Sequence, residues 1–201
     1  MTQGPVTKAP SLRDLHEKVL VSDKYSYSRI TYDLQRADGR WDPHIRSLFR
    51  RPDAVTVLPY DATRGKILLT RQFRLGAYSN DQSPGLLETC AGTIDDGEQP
   101  EPCLIREALE ELGLQIDAPR FLFEAFVSPA ATTEKVYFFV APYTPAARIA
   151  DGGGLEDEGE EIEVIEADFS ETLASAERGE IRDAKTLLLL FWLKSSGLMA
   201  G

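Results

Sequence analysis

The spacing of apolar and polar residues divides the chain into an extended first part and a mixed second part. Between Val19 and Leu34 it alternates, with Ser26, Ser28, Ile30, Tyr32 and Leu34 on one phase, and Asp38-Gly39 then supplies a turn before a second extended run through Ile45, Leu48 and Phe49. This predicts an N-terminal β-hairpin arm over residues 1–50. Ala54 to Leu58 and Lys66 to Phe73 predict a second pair of strands about a turn at Arg64-Gly65, and Leu86 to Ala91 a further strand. Short apolar runs at Phe121 to Phe126, Val136 to Val140 and Ile162 to Ile165 predict three more. Helical spacing comes in between: Leu104, Ile105, Ala108, Leu109 and Leu112 recur as one apolar stripe. Two further helices are expected near Glu171 to Arg178 and Asp183 to Lys194. The last carries Leu187 to Leu193, apolar on every side, which suits deep burial or a surface shared with a second copy. Strands mixed with helices in this way give an α+β fold, a layered α/β/α domain over residues 51–201.

The helix bearing the first stripe carries the most distinctive chemistry. Pro100 and Pro102 suit its first turn, and Gly113 the position just past its last. Glu107, Glu110 and Glu111 fall together on the face away from the stripe, at i, i+3 and i+4, where like charges cost a helix roughly a few tenths of a kcal/mol per pair. Arg106 is placed to pair with Glu110, whereas Glu107 and Glu111 have no obvious cationic partner nearby in sequence. A hard divalent ion would supply the missing charge. Oxygen donors with room for phosphate groups favour Mg²⁺, with Mn²⁺ as its substitute. A solvated acidic face is the ordinary reading of such a run taken alone.

Composition narrows the partners. With 201 residues, 42% of them hydrophobic, the chain can build one substantial core. A formal net charge of −11 leaves no basic stripe for a nucleic-acid polymer, although a bound cation would still admit small phosphorylated metabolites. Cys90 and Cys103, the only two cysteines, are too few for a disulfide scaffold or a four-cysteine zinc site and read as small buried residues. The first ten residues hold no apolar stretch suited to a secretory signal, and Leu187 to Leu193 is too short to span a membrane. The expectation is a cytoplasmic protein without a membrane partner. GxSxG, HExxH and Walker-type patterns are absent from the sequence, and His16 and His44 form no ligand pattern. Gly152 to Gly154, within the acidic stretch 151–161, read as part of a mobile loop.

The stretch Gly92-x5-Glu98-x7-Arg106-Glu107-Ala108-x-Glu110-Glu111-x-Gly113-Leu114 resembles, without a gap, the signature of the Nudix family of pyrophosphohydrolases. That resemblance implies the Nudix fold, a mixed sheet between helices with the signature as loop-helix-loop. The strings ITYDLQRADG, RQFR, LLETCAG, SPAATTE, GGGLEDEGEEIEVIE and GEIRDAKTLLLL extend the likeness from about Lys18 to Met199. They are similar to the nucleoside-diphosphate-sugar branch, which contains GDP-mannose hydrolases and ADP-ribose pyrophosphatases. ITYDL and GEIRDAKT lean to the first, VLPYDATRGKILL and RLGAY to the second.

Carried over residue by residue, the resemblance implies that Glu107 and Glu111 bind Mg²⁺, with Glu110 nearby and the Ala91 carbonyl completing the shell. Glu98 and Arg106 would hold the loop against the helix. Glu158 would be a general base or further ligand, with Glu160 and Glu161 as the other candidates. Arg74 would face the diphosphate or terminal sugar, Glu134 the attacking water or sugar, and Lys185 a phosphate. Tyr25 and Arg46 would stack on or hydrogen-bond the base in the other subunit's site, which implies a homodimer. The implied reaction is metal-dependent cleavage of a nucleoside diphosphate sugar to a nucleoside monophosphate and a sugar phosphate. Two alternatives accompany it: a non-catalytic module that senses nucleotide sugars, and a hydrolase of another nucleotide such as an oxidised nucleoside triphosphate. Ala130, Ala131 and Ser47 depart from the family's usual residues, and bear on which sugar is taken.

Overall fold

The computed structural model describes residues 10–155 and 159–199, which form two compact units. One comprises the chain up to Arg51 together with Ser128–Glu134, and the other Pro52–Val127 with Lys135–Gly201.

The first unit is a three-stranded antiparallel sheet in the order β1 (Leu12–Ser22), β2 (Ser26–Gln35), β3 (Trp41–Arg50). Sequence pattern anticipates β2, the turn and β3. It misses that the run begun at Val19 folds back through Asp23–Tyr25, so the expected hairpin has a third strand. All of β1 is exposed, which is why LRDLHEKVLVS carries no regular alternation. In the β2–β3 turn Gly39 adopts φ 88°, and Arg36 N–H donates to the Arg40 carbonyl at 2.7 Å. Residues 128–134 join β3 through Phe49 N–H to the Ala131 carbonyl, 2.8 Å, and Thr133 N–H to the Phe49 carbonyl, 3.1 Å.

The second unit is a seven-stranded mixed sheet. Its strands are β4 (Ala54–Asp61), β5 (Lys66–Gln72), β6 (Leu86–Glu88), β7 (Cys90–Thr93), β8 (Arg120–Phe126), β9 (Lys135–Pro142) and β10 (Glu163–Asp168). The main path runs β10-β5-β4-β9-β8, with β6 on β5 and β7 on β4. β4 and β9 are parallel, and the remaining pairs antiparallel. Alternation along the central strands sorts residues cleanly to two faces. Val55, Val57, Leu68, Phe139 and Ala141 pack with α2 (Pro100–Leu112) through Cys103, Leu104, Ala108 and Leu112. Ala54, Leu58, Ile67, Leu69, Val136, Phe138 and Val140 pack with α3 (Phe169–Glu177) and α4 (Ala184–Ser196). Helices on both faces of a mixed sheet make an α/β/α sandwich, the layered arrangement that the resemblance implies.

One helix is not foreshadowed by the pattern, and two expectations are corrected. A helix, α1 (Leu75–Asp81), follows β5; it buries no residue, so it leaves no apolar pattern to find. Leu86 to Ala91 is two strands, because the chain changes partners at Thr89. Finally, α4 is not deeply buried on every side: Leu189, Leu190 and Leu193 are buried, while the apolar Leu188 and Phe191 are exposed.

Candidate active site

α2 is held at both ends. Before it, Asp95 N–H donates to Glu98 Oε2 at 3.2 Å, and Arg106 returns from the helix to Glu98 at 3.1 Å. At its C-terminus Gly113 takes φ 63°, where a side chain would strike the Ala150 carbonyl at 2.0 Å. The glycine run expected to be merely mobile caps this end: Gly153 N–H donates to the Glu111 carbonyl at 2.9 Å, and Gly154 N–H to the Glu110 carbonyl at 3.1 Å. Glycine is required there, since a Cβ on Gly152 would lie 2.4 Å from the Glu111 carbonyl oxygen.

The buried face of α2 is turned from the one its sequence suggests. Ile105 and Leu109 are exposed, whereas Glu111 is 1% exposed. Glu111 therefore lies on the core side, against β7. Ala91 N–H donates to its Oε2 at 3.2 Å. Burial, with the charge of Glu107 adding to it against the opposing hydrogen bonds from Cys90 and Ala91, pushes its carboxyl up to about 8. Glu107 is likewise pushed up to about 7, first by burial and then, against the pull of Arg106, by the charges of Glu110 and Glu160. Gly92 makes room for it: a Cβ there would sit 1.8 Å from the Glu107 carboxyl carbon.

Arg106 binds Glu110 as its spacing predicts, at 3.0 Å, and also Glu107 at 3.0 Å. Glu107 thus has a cationic neighbour that the sequence did not reveal. That one guanidinium, shared with Glu98, still leaves buried carboxylates whose proton affinity is raised. Among the described residues no three His, Cys, Asp or Glu groups converge into a ready-made metal cluster. The donor chemistry nevertheless fits a hard divalent ion, because the Glu107 and Glu111 carboxylates are hard oxygen ligands with raised proton affinity.

Arg74 donates through Nε and Nη2 to Glu88 Oε2 at 2.9 and 2.7 Å. Glu88 is buried; its signal in the sequence is a lone carboxylate inside the run LLETCAG. Arg74 also lines an open depression of about 850 Å³ with Arg71, Phe73, Gly85, Glu160 and Glu161. Lys185 donates to Asp183 Oδ1 at 2.6 Å, at the start of α4. Glu158 lies outside the described residues. Glu160 accepts from Leu155 N–H at 3.2 Å, and its charge is felt by both Glu107 and Glu111.

Tyr25, Arg46 and Glu134 belong to the first unit. There Tyr25 meets Phe49 edge-on at 5.8 Å, with the Arg51 guanidinium 5.5 Å above its ring. Glu134 pairs with Arg51 at 3.2 Å. Arg46 is exposed and approaches His44 Nδ1 at 3.2 Å.

The NUDIX domain family matches residues 50–190. The chain belongs to the Nudix family. Two curated GDP-mannose pyrophosphatases resemble it over nearly their whole length. The protein of Klebsiella pneumoniae subsp. pneumoniae is 43% identical over 188 residues, 93% of each chain. That of Escherichia coli is 43% identical over 186 residues, 92% of this Nudix chain and 96% of its own. Among solved structures, an ADP compounds hydrolase shares the fold with a TM-score of 0.71 and 22% identity, over 97% of this chain and 100% of that one. No helix among the described residues is long and apolar enough to cross a membrane.

Proposed function

We propose that this protein is a Mg²⁺-dependent pyrophosphohydrolase of nucleoside diphosphate sugars, with GDP-mannose preferred to ADP-ribose. The observation that carries the reading is the pair of buried carboxylates, Glu107 and Glu111, set against Gly92 and Ala91 with too little cationic charge to ionise freely. The preference for GDP-mannose is supported by the names of the relatives at 43% identity.

Glu107, Glu111 and the Ala91 carbonyl would hold the ion, with Glu110 and Glu158 beside them; Mn²⁺ would substitute. When bound, the ion neutralises the diphosphate and makes a coordinated water more acidic. The chain's own residues do the rest. Arg106 and the glycine cap fix the backbone from which the carboxylates project, so they need not reorganise as negative charge spreads over the phosphate oxygens. Arg74 spends two N–H groups on Glu88 and has others for a phosphate oxygen. Lys185 offers a second positive charge. Glu158, or Glu160 in its place, would take the proton from the attacking water. Water adds to one phosphorus as its bond to the bridging oxygen breaks, giving a nucleoside monophosphate and a sugar phosphate.

Tyr25 and Arg46 would contact the base, and Glu134 the sugar end, in a cytoplasmic homodimer built through an arm of residues 1–50. Support for pairing comes from the exposed Leu12, Leu15, Val19 and Val21 on β1. The test is phosphate release, through a coupled phosphatase, from GDP-mannose, ADP-ribose and a nucleoside triphosphate with Mg²⁺ and with EDTA. Metal-dependent release favouring GDP-mannose is expected. Tight binding of GDP-mannose without release would instead identify a sensing module.

A further inference from the structure

Thr89 stands where the chain changes partners. β6 pairs with β5 and β7 with β4, so the residue between them lies in neither ladder, and its buried N–H needs an acceptor from elsewhere. Thr186 Oγ1, on α4, accepts it at 2.8 Å. The protons of this cluster can be assigned. The Thr186 hydroxyl donates to Asp183 Oδ2 at 2.8 Å, beside the Thr186 amide at 2.9 Å. Thr56 Oγ1 donates to the Cys90 carbonyl at 3.0 Å. With its one proton spent there, Thr56 accepts from Thr89 Oγ1 at 2.8 Å. Each bond then has one direction. Thr56, Thr89 and Thr186 are at most 1% exposed, so water cannot replace a lost partner.

Groups of the site flank this crossing. Glu88, one residue before Thr89, holds Arg74 at 2.7 Å. Ala91, two residues after it, donates to Glu111. Lys185, next to Thr186, is tied to Asp183, which caps the same helix. We propose that Thr186, acting through Thr89, is a positioning residue for the diphosphate site. It locks the Glu88–Ala91 crossing to the start of α4, and so sets the Ala91 peptide against Glu111 and the Glu88–Arg74 pair relative to Lys185. The proposal rests on the reading of Glu107, Glu111 and Ala91 as the groups that hold the ion.

Thr186→Val keeps the side chain's shape and removes both hydroxyl bonds, while Thr186→Ser keeps them. Thr172→Val is the control: Thr172 is also buried, and its hydroxyl donates to the Asp168 carbonyl at 2.7 Å in α3. Three quantities are read: the Mn²⁺ dissociation constant without substrate, hydrogen exchange at the Thr89 and Ala91 amides, and kcat and KM for GDP-mannose. Thr186→Val is expected to weaken Mn²⁺ by about tenfold, as loss of a supporting shell does, and to lower kcat more than it raises KM. Exchange at Ala91 should accelerate by about tenfold or more. Thr186→Ser and Thr172→Val should stay within about twofold on all three. A folded Thr186→Val protein with unchanged Mn²⁺ affinity and unchanged Ala91 protection overturns the proposal. Should that variant not fold, Thr186→Ala, which removes the same two hydroxyl bonds with less side chain to accommodate, is judged by the same criteria. If the wild type turns over no nucleotide sugar, the proposed reaction is wrong, and the exchange and Mn²⁺ measurements still decide the role of Thr186.

Discussion

Glu111→Gln separates what the buried carboxylate does for the reaction from what it costs the fold. Burial raises its carboxyl from 4.5 to about 8. Between those values the folded protein holds a proton that the unfolded chain has released. Stability of the metal-free protein therefore falls as pH rises through that window, the full penalty being present above about 8 and absent below about 4.5. Integrated over the window, the penalty is on the order of 5 kcal/mol at Glu111. Glutamine keeps the shape and an oxygen for the Ala91 N–H, but carries no charge. In EDTA, then, Glu111→Gln should be more stable than the wild type by on the order of 5 kcal/mol near about pH 9, and within about 1 kcal/mol near about pH 5. Denaturant melts at the two pH values measure this directly. With Mg²⁺ and GDP-mannose the same variant should lose at least about a hundredfold in turnover, as removal of a charge-stabilising group does. A variant destabilised equally at both pH values would refute the claim that Glu111 is a buried, uncompensated charge. Full turnover in a folded variant would refute its place in the reaction.

Gly92→Ala would put a methyl 1.8 Å from the Glu107 carboxyl carbon; displacing that side chain should lower turnover by about tenfold or more, and turnover within twofold of wild type in a folded variant would count against the site. Arg106→Ala leaves Glu98, Glu107 and Glu110 facing one another without a cation, so denaturant melts in EDTA at neutral pH should show a loss of about 1 to 3 kcal/mol, reduced by saturating Mg²⁺. Gly152→Ala adds a Cβ 2.4 Å from the Glu111 carbonyl at φ 74°; it should cost about 1 to 3 kcal/mol and weaken Mn²⁺ binding, and an unchanged melting curve would mean that the cap is not rigid.

Where local chemistry decides, the sequence is a good guide: Pro100 and Gly113 bound α2 as their backbone preferences require, and the alternation in β4, β5 and β9 survives as two packed faces. Tertiary packing decides the rest. The stripe through Ile105 and Leu109 is as good a helical pattern as the one used, but contact with β7 rotates α2 so that Cys103, Leu104, Ala108, Glu111 and Leu112 turn inward. A glutamate in the core is not something periodicity proposes. Gly152 to Gly154 look like flexibility in one dimension, since nothing near them in sequence shows the end of α2 resting on them. Arg51 beside Glu134, and Thr186 beneath Thr89, lie 83 and 97 residues apart along the chain, beyond the reach of any local pattern.

The two ends of α2 explain why the repulsion in this site persists. An exposed acidic helix relieves like-charge crowding by fraying its last turn or swinging its side chains into water. Glu110 and Glu111 stand in that last turn, yet their carbonyls are held by Gly154 and Gly153. At the other end Arg106 anchors the helix to Glu98. Glu111 is buried against β7, and Glu107 sits between Gly92 and Arg106. A proton, or a cation delivered to the same oxygens, would relieve the charge that Arg106 and the Ala91 N–H leave uncompensated. On the proposed reading of this site, the glycines and Arg106 would serve it without touching a phosphate: they would keep the carboxylates poorly satisfied until a divalent ion arrived.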